Sequence, residues 1–261
     1  MKNIIKSQLY QLRKERMVWL VYIGLLLMPI ANIFLQGELT LEGDYPTQAF
    51  LAENGFFYVY VFISLMFLFT LAGFAGCGDF ADKTVNYELM TGHKRIEVYL
   101  GRVIPCLIVG VIGFALMIAL PLIVNTAMHG WGTKLDVGEM VLRYCLLIFP
   151  IIRILCTALF LVFVIKNPYI VMALGYFVFM LGGTSASMFK LGMSPILGIT
   201  NINMLCIFDS WYTYGLDGKM NYIYEASLSA GEIASTIIVS LVTSAIFLYL
   251  GYVYFHKDDL N

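Results

Sequence analysis

The chain has 261 residues, 60% of them hydrophobic and only 13% charged, with a formal net charge of -1. A soluble domain carries about 25% charged residues to keep its surface wet, and half that fraction leaves lipid as part of the solvent. No basic face outside the membrane-proximal segments is large enough for nucleic acid, which excludes that class of partner.

Residues 1–16 read as an amphipathic helix, with Ile5, Leu9 and Leu12 in a narrow stripe flanked by Lys2, Lys6 and Arg13. Such a helix lies in the interface plane, apolar side toward acyl chains and cations toward headgroups; a solvated basic tail is the other reading. Six later runs reach the roughly 20 apolar residues that a helix needs to cross a bilayer. They are 17–36, 56–76, 103–125, 141–165, 169–187 and 233–255. The first is too long for a signal-peptide core and has no small-residue cleavage site, so it is read as retained. Pro29 and Pro121 fall inside spans and predict kinks, which membrane helices tolerate. The glycine cluster GFAGCG at 73–78 closes the second span and reads as helix packing or a helix end.

Within the outer connection 188–232, residues 195–208 (PILGITNINMLCIF) are apolar but short. As a helix they cover about 21 Å, against roughly 30 Å of hydrocarbon, so a re-entrant or interfacial helix is expected. The fold class is therefore all-α: one polytopic membrane domain over 1–261, with six transmembrane helices, an N-terminal in-plane helix and a short re-entrant segment before the last span.

Charge placement sets the orientation. Lys2, Lys6, Arg13, Lys14 and Arg16 precede the first span, and Lys83, Lys94, Arg95 and Arg102 lie between the second and third. With Lys166 and Lys257, that side collects eleven of the sixteen Lys and Arg residues. The connection 37–54 has Glu38, Glu42, Asp44 and Glu53 and no basic residue. The positive-inside rule then puts both termini and the 78–102 loop in the cytoplasm of a multi-pass cell-membrane protein.

Chemistry-bearing patterns are sparse. The five cysteines form no C-x-x-C pair and read as apolar packing residues. His93, His129 and His256 lack metal-ligand spacing. No phosphate loop, H-E-x-x-H or G-x-S-x-G motif occurs, so neither a catalytic nor a cofactor site is expected. Arg153 is the one charge deep in a span, about 15–20 Å from Arg143 and Lys166 along the helix. It either lines a polar path or contacts a partner subunit, or it snorkels or bonds carbonyls of a broken neighbouring helix.

The 25 residues of 78–102 hold eight of the 33 charged side chains. Ala81, Val85 and Leu89 recur every four residues as the stripe of a short helix, which Asp79 or Asp82 can cap and Thr91-Gly92 ends. Two readings remain: a helix across the cytoplasmic face that docks in a groove of another protein, or an ordinary solvated loop.

In layout, and in this loop, the chain resembles the transmembrane subunit of ABC-2-type ABC transporters. The loop of that family runs acid, Thr, an apolar pair, a break and a basic residue. Here those positions are Asp79 and Asp82, Thr84, Leu89 and Met90, Gly92, and Arg95. The resemblance implies that Asp79, Asp82, Thr84, Val85, Leu89, Met90, Lys94 and Arg95 couple the chain to a separate ATPase. It implies two permease copies, identical or related, with two ATPase subunits that hold ATP and Mg, so this chain binds no cofactor and is no enzyme by itself. The short leader and absent outer domain are similar to exporters of lantibiotics, bacitracin and phenol-soluble modulins. An acidic outer side would suit amphipathic or cationic peptide cargo. Export of polysaccharide, lipid or small drug-like cargo is the alternative within transport. A non-transporting membrane anchor or sensor that recruits a cytoplasmic partner is the alternative outside it.

Overall fold

The computed structural model describes residues 2–39, 47, 56–81, 89–132, 136–177, 202, 205–206, 209–214, 220–225 and 227–257. Among them five helices are long and apolar enough to cross a membrane, and the chain is a multi-pass membrane protein. In chain order the elements are α1 (Lys2–Lys14), α2 (Arg16–Leu39), α3 (Phe56–Ala81), α4 (Arg95–His129), α5 (Val137–Ile165), the short α6 (Pro168–Phe177), β1 (Asp209–Tyr214), β2 (Met220–Glu225) and α7 (Ala230–Lys257). α6 is the start of the predicted fifth span; 178–187 lie outside the described residues.

Polar side chains fix the helix starts that water would otherwise have to satisfy. Asp136 accepts from the Glu139 amide at 3.2 Å to open α5. Asn167 accepts from Tyr169 (3.0 Å) and Ile170 (3.3 Å) to open α6, with Pro168 in the first helical position. α7 opens on a capping box: Ser229 Oγ accepts from the Glu232 amide at 3.3 Å, and the Glu232 carboxylate accepts from the Ser229 amide at 2.8 Å.

α3 is the centre of the bundle. It is apolar all round, as a helix enclosed on every side must be, and from Tyr60 to Cys77 only Ile63, Met66 and Phe74 are not buried. Its glycines are packing positions, as the sequence predicts for the 73–78 cluster. A Cβ at Gly73 would lie 3.1 Å from the Pro168 carbonyl oxygen, and one at Gly76 would meet Val162 Cγ1 at 2.4 Å. Gly175 of α6 lets the Phe69 ring in the same way, at 2.4 Å from where a Cβ would be. Near the other end of α3, the Tyr60 hydroxyl donates to the Met117 carbonyl at 2.8 Å.

Several boundaries and faces differ from expectation. α3 runs on to Ala81 rather than ending near 76, so Asp79 lies in its last turn and does not head a separate helix. α4 begins at Arg95 rather than 103, because buried Val98 and Tyr99 continue its packed face. Its 35 residues make about 52 Å of helix, well beyond the roughly 30 Å of hydrocarbon. α1 forms as predicted, but its buried row is Ile4, Gln8 and Leu12, while Leu9 is exposed. Ile4 packs on α4 at Gly101, where a Cβ would come within 2.6 Å of Ile4 Cγ2.

The all-α expectation describes the spanning body. Outside it, β1 and β2 pair antiparallel in the register Asp209↔Glu225 through Tyr214↔Met220. This hairpin falls in the outer connection 188–232, directly after the 195–208 segment for which a re-entrant helix was the expectation. Of 195–208 only Ile202, Leu205 and Cys206 are described; all three are helical and buried, and the remainder lies outside the described residues.

Because the Phe69 ring leaves no room, Gly175→Ala is expected to lower stability in detergent by about 1–3 kcal/mol, the usual range for overpacking. Thermal unfolding checks this, and adding Phe69→Leu should recover part of the loss.

Candidate functional site

The loop between the second and third spans is the sequence's main candidate. Asp82, Thr84 and Val85 lie outside the described residues, and of Asp79 only its helical backbone is described. Leu89, Met90, Lys94 and Arg95 are described in full.

Leu89 and Met90 are helical, and the Gly92 amide donates to the Leu89 carbonyl at 3.1 Å. Gly92 has φ +90°, a conformation that side chains disfavour, so the break falls where the sequence puts it. The two apolar residues point differently. Leu89 is half-buried and packs on the chain's own core, whereas Met90 is 82% exposed. Lys94 is exposed and extended, and its carbonyl accepts from Glu97 (2.9 Å) and Val98 (3.2 Å) to start α4. His93 Nδ1 lies 3.4 Å from the Glu97 carboxylate, one turn on.

Arg95 turns inward to the bundle. Its Nη1 donates to the His256 carbonyl at the C-terminal end of α7, where the last carbonyls of a helix favour a cation. One turn later the Tyr99 hydroxyl donates to the Leu248 carbonyl at 2.7 Å. The Tyr99 ring sits 4.8 Å from Phe163 of α5 and 5.6 Å and 6.0 Å from Tyr252 and Phe255 of α7. Gly251 makes room for the hydroxyl, which lies 3.0 Å from where a Cβ would be. Alongside, Cys77 Sγ of α3 donates to the Val162 carbonyl of α5 at 3.9 Å. From Arg95 onward the chain therefore enters a knot that joins the same-end termini of α3, α4, α5 and α7. This end also carries Arg13, Lys14, Arg16, Lys94, Arg95, Arg102, Lys166 and Lys257.

Arg153 is fully buried in α5. It lies one turn from Cys156 and two from Phe160, which meets Phe247 of α7 at 5.7 Å between ring centres. α7 presents a buried row of Thr236, Ser240 and Ser244 along its length. Arg153 thus belongs to the α5 face nearest the polar side of the last span. Two further arginines are enclosed that the sequence places at span ends: Arg102 at 1% exposure and Arg143 at 4%. Their signal was helical spacing. Arg102 is four residues from buried Val98, whose carbonyl its Nη1 reaches at 3.3 Å, and Arg143 is three from buried Met140.

Among the described residues no three His, Cys, Asp or Glu side chains are placed to hold a metal ion. The chain matches no protein-family model and no curated protein. The geometry of this end therefore carries the functional argument.

If the knot is built as described, Tyr99→Phe keeps the ring and loses one hydrogen bond, costing about 0.5–1.5 kcal/mol, while Tyr99→Ala costs about 3–5 kcal/mol. Both are read by thermal unfolding. A buried-against-exposed pair checks the loop: Leu89→Asp lowers the unfolding temperature and Met90→Asp leaves it unchanged.

Proposed function

We propose that this chain is the membrane-spanning subunit of an ATP-driven exporter of the ABC-2 type, with amphipathic or antimicrobial peptides as cargo. In this reading α6 continues into a sixth span, both termini lie in the cytoplasm of a bacterial cell, and two copies or two related chains assemble with two ATPase subunits. ATP and Mg are held by the partner.

One observation carries the proposal. A bare apolar side chain, Met90, stands on a turn that is joined through Arg95 and Tyr99 to the ends of the spans. A partner that seats Met90 can therefore push on the bundle rather than on a slack loop. The coupling is useful only if the partner contacts the turn differently in its two nucleotide states. Of the four implied coupling residues whose side chains are described, Met90 and Lys94 are the exposed ones. Leu89 and Arg95 hold the turn in place. The excess of cations at this end supports a cytoplasmic orientation.

Co-expression with candidate ATPases tests the reading: a stoichiometric complex whose ATP hydrolysis depends on this chain is the expected result. Met90→Asp should weaken ATPase binding by about tenfold or more, as loss of a contact hot spot does, with yield and unfolding temperature unchanged. Arg153→Leu should leave that complex intact and abolish efflux of a labelled amphipathic peptide from inside-out vesicles; unchanged efflux would make Arg153 a packing residue.

A further inference from the structure

At the basic end of the bundle the two faces of α1 are committed differently. Its buried row, Ile4, Gln8 and Leu12, packs on the chain itself, with Ile4 against Gly101 of α4, so that row has no acyl chains to meet. On the opposite face, at spacings of three and four that share one side of a helix, stand Lys6, Tyr10, Arg13 and Lys14, all exposed. Lys14 Nζ lies 4.5 Å from the Tyr10 ring centre. Among the described residues none of the three cations forms an ion pair, and Glu15, the next residue along, pairs with none of them. The C-terminal carbonyls of α1 account for cations in its last turn, Arg13 and Lys14, but not for Lys6 in the middle of the helix.

The neighbouring span sets the depth of this face. Exposed Trp19 of α2 donates through Nε1 to the Arg13 carbonyl at 3.0 Å, which ties the last turn of α1 to the start of α2. A tryptophan at a span end marks the headgroup level. Beyond it Leu20, Ile23 and Leu27 continue exposed along α2, as the lipid-facing side of a span does. The cationic stripe of α1 is therefore continuous with the bilayer surface at the level of the phosphates. We propose that Lys6, Arg13 and Lys14, with Tyr10 between them, bind the phosphate groups of anionic glycerophospholipids in the adjoining leaflet. With its apolar row on the bundle, α1 is held to lipid by charge, so the attachment requires anionic lipid and weakens with salt. A helix anchored by its apolar face in the acyl region would bind without either condition. The site does not depend on the proposed transport activity.

The test is amide hydrogen exchange of the full-length protein in nanodiscs of phosphatidylcholine with and without phosphatidylglycerol. Phosphatidylglycerol should slow exchange in 2–14 several-fold, and molar salt should abolish the difference. The variant Lys6→Gln/Arg13→Gln/Lys14→Gln keeps the buried row and good helix formers, so it should unfold at the wild-type temperature and exchange at one rate in both bilayers. If the triple variant is less stable, Lys6→Gln alone, at an exposed position in mid-helix, should still reduce the lipid response. Equal exchange of the wild type in the two bilayers would overturn the proposal. So would an unchanged lipid response in the triple variant, and loss of ATPase binding there instead would make the stripe a protein contact.

Discussion

A tyrosine hydroxyl buried among apolar helices has to find an acceptor, and at this end of the bundle Tyr99 finds the Leu248 carbonyl. That carbonyl lies inside α7 and has a second lone pair available beyond the helical bond. The contact requires a residue without a side chain at Gly251, and it brings the Tyr99 ring against Phe163 and Phe255. The N-terminal turns of α4 are thereby fixed to the C-terminal turns of α5 and α7. Arg95, one turn earlier, repeats the attachment at His256. In the proposed coupling role the exposure of Met90 depends on this constraint, because an exposed residue on a slack loop would transmit nothing.

Much of the architecture was legible because span length is dictated by the bilayer. Each predicted span that can be checked from end to end lies within one helix, and the break at Gly92 fell where its backbone freedom is used. Where the reading fell short, local pattern and long-range packing diverged. Gln8 interrupts the apolar row of α1, so the stripe was assigned to Ile5 and Leu9 when Ile4 is the residue seated on Gly101. The early start of α4 depends on Tyr99 meeting elements 64 and 149 residues away. The partner of Arg95 is 161 residues distant, beyond any periodicity argument. The hairpin was different: DSWYTY and MNYIYE are aromatic-rich runs separated by residues that include Asp217-Gly218, which is a turn signal. The sequence reading assigned an element only to 195–208 and left this stretch as part of the outer connection.

Arg102, Arg143 and Arg153 are all enclosed, and ionised side chains within spans are costly enough to mark function or tight structural use. Arg102 bonds within its own helix and belongs to the knot. Arg143 lies beside α7's capping box, with Glu139 one turn away on its own helix. Arg153 lies fully buried in α5, two turns from Phe160, which meets Phe247 of α7. The sequence located it by depth; the structure adds the face it occupies.

The central claim is that the 89–94 turn and the last two turns of α7 move as one body. Amide hydrogen exchange measures this directly, comparing wild type with Arg95→Ala and Tyr99→Phe in detergent. The account requires either substitution to speed exchange in both 89–99 and 248–257 while leaving the middle of α3 protected. Faster exchange confined to the substituted segment, with 248–257 unchanged, would contradict it.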